Sequence, residues 1–368
     1  MRTDEAYNIL DIVNEEYGII LTKGGNVCIS FKVKEPECYS LSREDIDLRD
    51  KMLKEAFRFL PEGCYIHKQD IFQKKYYHSV PMNWSFLDIA DAKHFENRLY
   101  MQHTCVLHFV LTGLKSLEKS YISSPLKYKE NLHKDDLEKL SNFLEAINNC
   151  ISILKNLRDT QIISIKGDEL RNLILGYSNL FVETNAITDI HVDNELHVGK
   201  IKARYFCICD ETMFPDNSVS SYVKDSSLPM ANAELYHPLL EELGMYLPYN
   251  HIVNQIIYLE GNEKLRAQIA RNIDIYGSNS SMSKSIKVQF EKLDKLQEEI
   301  LEENEILVRT HFSVCIFDES GSNLDKAEKT VKETLNINQF KYYIPGYENL
   351  IFPAYQGRLA VCRKNILF

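Results

Sequence analysis

The chain has 368 residues, with 43 basic and 53 acidic side chains, a formal charge of −10 and 44% hydrophobic residues. That length permits one long domain or two to three ordinary ones around a sizeable core. The acidic balance argues against direct nucleic-acid binding, which draws on clustered Lys and Arg.

Nine cysteines, odd in number and scattered through apolar runs, read as buried thiols in a reducing compartment rather than a disulfide framework. Met1-Arg2-Thr3-Asp4-Glu5 is no basic-then-apolar leader, and no stretch nears the ~18 apolar residues of a membrane span. A cytoplasmic location is therefore expected, with any membrane contact made through partners.

Gly18 to Val33 alternates apolar and polar residues around Lys23-Gly24-Gly25-Asn26 and reads as a hairpin. Ser42 caps a helix with Asp45 in its first turn and Ile46, Leu53, Phe57 and Leu60 at helical spacing, stopped by Pro61 and Gly63. Tyr65 to Phe72 is a strand, followed by a short helix around Ala90 to Arg98 and a strand from His103 to Thr112. Leu137, Leu140, Leu144, Ile147, Ile151 and Leu154 recur at steps of three and four, predicting a helix with one core-facing stripe. Gln161 to Ile165 is a strand, and Asp168 caps a helix carrying Leu170, Leu173, Ile174 and Tyr177.

The second half repeats this order with insertions. Glu195 to Val198 and Arg204 to Cys209 form a strand pair, Ala231 to Leu243 favours helix, and His251 to Leu259 is the counterpart of the Tyr65 strand. Helices over Lys264 to Tyr276 and Ser285 to Leu307 precede a strand from Arg309 to Phe317. Asn323 then caps a helix, and Phe340 to Ile344 ends the sheet. The expected fold is α/β (α+β): two related split half-domains, 1–180 and 181–368, of mixed, partly antiparallel sheet covered by helices.

Two polar signatures accompany the paired strands, His67-Lys68-Gln69-Asp70-Ile71-Phe72 and Asn250-His251-Ile252-Val253-Asn254-Gln255. With Ser85-Phe86-Leu87 and Phe95-Glu96-Asn97-Arg98 between them, they make the region from about Tyr17 to about Pro353 resemble the amino-terminal region of the TraG-type conjugative transposon ATPases. These are motor proteins of conjugative type IV secretion in Bacteroides-like bacteria. The resemblance implies a non-catalytic assembly and docking domain, peripheral at the inner membrane through its partners. Those partners would be inner-membrane secretion components, the motor domain and further copies of the chain. ATP and Mg would belong to the motor domain alone, leaving no cofactor here.

A phosphate loop reads G-x-x-x-x-G-K-[ST]. Gly277-Ser278-Asn279-Ser280-Ser281-Met282-Ser283-Lys284-Ser285 has Ser283 where the second Gly belongs and follows a helical segment, so it reads as a polar joint ending in a helix cap. It is what speaks for an alternative, a nucleotide-binding protein or enzyme of unrecognised type. Asp189, His191, Asp193 and His197 with Cys207 and Cys209 motivate a second alternative, a metal-binding regulatory module, although thiolate zinc ligands usually come as two-residue-gapped pairs. Cys105 near His103 and His108 lacks the electropositive setting of a reactive thiol. Glu298, Glu299, Glu302, Glu303 and Glu305 form a solvated face opposite Ile286, Phe290, Leu293, Leu296 and Ile300. The candidate docking residues are Tyr76, Tyr77 and Trp84, in an aromatic arm that contains Pro81 and the single Trp.

Overall fold

The computed structural model describes residues 9–14, 17–22, 25–36, 42–79, 85–115, 132–181, 188–193, 195–209, 211–215, 222–224, 234–236, 243–244, 247–303 and 306–346. Strands β1 (Ile9–Asn14), β2 (Gly18–Thr22) and β3 (Val27–Lys34) form an antiparallel meander. Its second turn is the expected hairpin: the Thr22 N–H donates to the Asn26 carbonyl at 2.9 Å, and Gly25 takes φ 77°, a conformation glycine adopts without a Cβ clash.

Helix α1 (Arg43–Phe57) starts at Ser42, where the Asp45 N–H donates to Ser42 Oγ and the Ser42 N–H donates to the Asp45 carboxylate. Strands β4 (Cys64–Tyr76) and β5 (Leu99–Leu111) outrun their expected bounds because they pair with each other along all 13 residues of each. Between them α2 (Phe86–Phe95) begins four residues before Ala90 and stops short of Arg98. Ser85 and Asp88 close a second reciprocal cap at its start, and Asn97 turns the chain at φ 60° beyond its end.

Helix α3 (Lys134–Leu154) is followed by β6 (Gln161–Ser164), which pairs with β3, and by α4 (Gly167–Ser178). Leu137 is 51% exposed, so the α3 stripe starts at Leu140, and Phe143, Ala146 and Cys150 share the buried face with Ile147, Ile151 and Leu154. Asp168 is not a cap; Lys166 holds that position and Asp168 sits in the first turn, where a carboxylate favours the helix dipole instead.

In the second half β7 (Ile190–Val192), β8 (Leu196–Val198) and β9 (Ile201–Ile208) form a meander, the first of these strands being unanticipated. Strands β10 (Tyr222–Lys224) and β11 (Glu234–Tyr236) pair apart from the main sheet. Within the stretch expected to be helical, residues 234–236 are thus extended, cross-strand pairing outweighing local propensity; residues 231–233 and 237–242 lie outside the described residues.

Strand β12 (His251–Tyr258), α5 (Asn262–Asn279), α6 (Lys284–Glu303), β13 (Arg309–Asp318) and α7 (Gly321–Ile337) complete the order. Residues 306–308 are no longer helical, so α6 falls short of Leu307. Asn323 lies inside α7, whose cap position is Ser320, and its amide faces the Asp318 carboxylate at 3.4 Å. Of Phe340 to Ile344, only Tyr343 joins the sheet, through a backbone bridge to Cys207.

The main sheet runs β1-β2-β3-β5-β4-β12-β13-β9-β8-β7 with β6 beside β3, and every ladder among the described strands is antiparallel. Read outward from its centre, β4-β5-β3-β2 matches β12-β13-β9-β8, and Tyr343 meets β9 much as β6 meets β3. Within the sheet the two runs of strands meet at one ladder, β4 against β12, and one core cluster spans both. One face buries Ile20, Tyr65, Val106, Val110, Ile252, Ile256, Tyr205 and Phe317 with Leu170 and Tyr177 of α4. On the other, Phe31, Ile66 and Phe109 pack with α3, while Phe206, Val314 and Ile316 pack with Leu324, Val331 and Leu335 of α7.

Candidate functional site

The β4–β12 register sets the two polar signatures side by side, Gln69 opposite Asn254 and Phe72 opposite His251. Side chains alternate along a strand, so His67, Gln69 and Asn254 emerge on one face and Lys68, Asp70, Phe72 and His251 on the other. On the first face Asn254 Oδ1 accepts from Gln69 Nε2 at 2.7 Å and from His67 Nε2 at 3.0 Å. Gln69 Oε1 is in turn 2.8 Å from His108 Nε2, and His108 Nδ1 is 2.7 Å from Ser30 Oγ.

Burial drops the His108 imidazole to about 3, so it is neutral. An amide oxygen only accepts, which places the His108 proton on Nε2 and makes Ser30 the donor to Nδ1. Ser30, His67 and Gln69 are 0% exposed, Asn254 1% and His108 3%. Hydroxyl, imidazole and amide follow the order of a nucleophile relay. At Ser30, however, no surface is open to a substrate, and the chain of bonds instead locks four strands in register.

On the opposite face the Phe72 ring lies between His103 and His251, each stacked at 4.5 Å. His103 Nε2 is 2.9 Å from Asp70 Oδ1, and Lys68 Nζ is 2.5 Å from Asp70 Oδ2. Burial alone would raise the Asp70 carboxyl; the Lys68 ammonium and the His103 bond outweigh it and hold the group at about 2. Burial also draws His251 down to about 4, with its Nδ1 donating to the Tyr249 carbonyl at 2.6 Å. Asn250 serves the backbone, its Oδ1 accepting from the Lys74 N–H at 2.7 Å and so extending the ladder beyond the end of β12. Lys74 Nζ sits 4.9 Å above the Tyr249 ring.

Beyond this seam β4 and β5 continue as a two-stranded ribbon. Pairing with β12 stops at Phe72 and pairing with β3 stops at Cys105, so among the described strands Gln73–Tyr76 pair only with Leu99–Gln102 of β5, and Leu99–Thr104 pair only with β4. The Tyr77 N–H donates to the Arg98 carbonyl and the Asn97 N–H to the Tyr77 carbonyl, both at 2.9 Å, and α2 sits at the tip. Glu96 pins the turn by accepting from Ser79 N–H and Oγ at 2.9 and 2.7 Å.

The arm exposes a group of large apolar side chains. Tyr76 is 63% exposed, Phe86 83%, Leu87 71% and Leu99 54%, with Tyr77, Ile89, Phe95 and Tyr100 also exposed. Of the three candidate docking residues, Tyr76 and Tyr77 are thus on this surface; Trp84 lies outside the described residues. The equivalent connection of the second half, from β12 to β13, carries the α5–α6 hairpin and leaves the sheet at its opposite end, because β4 and β12 are antiparallel.

No protein-family model matches the chain, and no curated protein matches it. Among the described residues no helix is long and apolar enough to cross a membrane.

The remaining candidates fall into structural places. Gly277 is the point where α5 meets α6: a Cβ there would stand 3.0 Å from the Phe290 ring, and Ser283 Oγ accepts from the Ile286 N–H to start α6. His191 and His197 are cross-strand partners around the Asp193 carboxylate, while Cys207 is buried with the core. Among the described residues no group of three His, Cys, Asp or Glu side chains is arranged to hold a metal ion. The Cys105 thiol is raised by burial and by Asp70, which opposes the thiolate a nucleophile needs. On α6, Ile300 is buried and Glu298 and Glu302 face solvent. Ser30 escapes the sequence reading, which names His108 only beside Cys105, although each is a polar residue at an inward position of an otherwise apolar strand.

Proposed function

We propose that the chain is a non-catalytic assembly and docking domain of the kind that opens TraG-type conjugation ATPases, acting in conjugative DNA transfer beside a motor domain. The observation that carries this reading is the arm, where exposed aromatic and aliphatic side chains stand on a ribbon continuous with a rigid sheet. Exposed apolar side chains gathered on a firm support are what a partner-binding site requires. The polar signatures supply the link to the conjugation machine. ATP and Mg act in the motor domain, and the partners are that motor, inner-membrane components of the secretion apparatus and further copies of this chain. The domain works on the cytoplasmic side, peripheral to the membrane through those partners.

Co-purification with the motor domain and inner-membrane components from a conjugating host tests the reading. Tyr76→Ser with Phe86→Ser should abolish capture at an unchanged melting temperature. Titration of the purified chain with a labelled ATP analogue should give no saturable signal. Micromolar binding abolished by Lys284→Ala would sink the proposal.

A further inference from the structure

We propose that the open edge of β5, Leu99–His103, is a self-pairing site that takes the same segment of a second copy of this chain as an antiparallel strand about a twofold axis through Met101. The inference rests on reading the arm as a docking surface and names its occupant.

Among the described strands nothing pairs with this edge beyond Cys105, and the sequence supplies a reason. Pro36, two residues past the end of β3, has no N–H to continue the ladder, so β3 stops where β5 does not. Unpaired edges are normally defended by charge, by proline or by cover. On the other edge of the ribbon that defence is present: Lys74 and Lys75 line it, and Asn250 occupies the Lys74 N–H. On β5 it is missing, for none of its 13 residues is Asp, Glu, Lys or Arg.

An uncharged edge addresses no charged partner, but it suits itself. About Met101, an antiparallel copy sets Leu99 against His103 and Tyr100 against Gln102, with Met101 facing its own image. No like charges oppose one another, and the interface is isologous as a closed dimer requires. The area available is adequate. At roughly 200 Å² per ring, the exposed parts of Tyr76, Tyr77, Phe86, Phe95 and Tyr100 leave on the order of 500 Å² on the arm that carries this edge, so two arms that also lie against each other beyond the paired strands would reach about 1,000 Å², the threshold of a specific interface.

Sedimentation of the purified chain at micromolar concentration should show a reversible dimer. Tyr100→Lys, which places a defending charge on an exposed position, should weaken it by roughly tenfold or more, with only the small fall in melting temperature expected of a second ammonium opposite Lys75. Met101→Cys should form an intermolecular disulfide on mild oxidation, whereas the wild-type chain and Leu48→Cys, on the exposed face of α1, should not. A monomer that gives no Met101→Cys cross-link overturns the proposal, as does a dimer indifferent to Tyr100→Lys and not cross-linked through Met101→Cys. A monomer whose arm still captures an inner-membrane component overturns self-pairing and leaves the docking role standing. A cross-linked dimer that captures no secretion partner does the reverse.

Discussion

Strands β4 and β5 are built in two sections that treat side chains in opposite ways. In the inner section, beside β12 and β3, His67, Gln69 and His108 point into a dry interior and find partners there. In the outer section Tyr76, Leu99 and Tyr100 stand in solvent with little to cover them. Neither choice is what stability alone favours, since a buried amide network gains little over packed hydrocarbon and an exposed ring gains nothing. The inner section specifies which strands pair; the outer section carries the exposed side chains on which the proposed docking role rests.

The comparison breaks most sharply at Asn254. Asn254→Ala removes the acceptor shared by His67 and Gln69 and should cost ~3–5 kcal/mol in urea unfolding, from two orphaned buried donors and a cavity. Gln255→Ala, one residue on and exposed, should change almost nothing.

Acid should find the same interior. His108 and His251 have folded values of about 3 and about 4, below the ~6.5 of an unfolded histidine. The unfolded chain therefore takes up their protons first as pH falls. Their contribution is complete above about pH 6.5 and drains away between there and the folded values, by about 2 kcal/mol per histidine at pH 5. Urea midpoints at pH 7, 6 and 5 measure the slope, and His251→Phe, which keeps a ring on Phe72, should flatten it in this window.

At the boundary between the sections, Asn250→Ala should cost about 1 kcal/mol. Hydrogen exchange should accelerate at the Lys74 amide while the seam amides stay protected. In the outer section Phe86→Ser and Leu87→Ser should shift stability by no more than about 0.5 kcal/mol, because both side chains are already exposed. Association is the property they should lose.

The sequence marks the residues of the seam more clearly than their role. His67, Gln69 and Asn254 stand out as polar residues in apolar strands, and the Gly18 hairpin, the Ser42 cap and the β12 and β13 strands follow from alternation and turn chemistry. What alternation along one strand cannot show is which strand lies beside it. Gln69 and Asn254 meet only because the sheet order places β4 against β12, and Ser30 and His108 join them through the same long-range pairing.

The outer ribbon is hard to read for a related reason. Gln73 to Tyr76 has no apolar face of its own, and its extended form depends on β5. Asp168 and Asn323 mislead because a polar residue in a first turn resembles a cap two or three positions away. At Ser85 the opposite happened: its reciprocal partner Asp88 marks the true start of α2, three residues on.

The arm and the α5–α6 hairpin leave the two ends of the antiparallel pair β4 and β12. A pull on one projection against the other would run along these strands, while the hydrogen bonds between them lie across the pull. The eight residue pairs of that ladder would then be loaded together in shear rather than opened one after another like a zipper. Any load applied through these two projections would have to break that ladder as a whole.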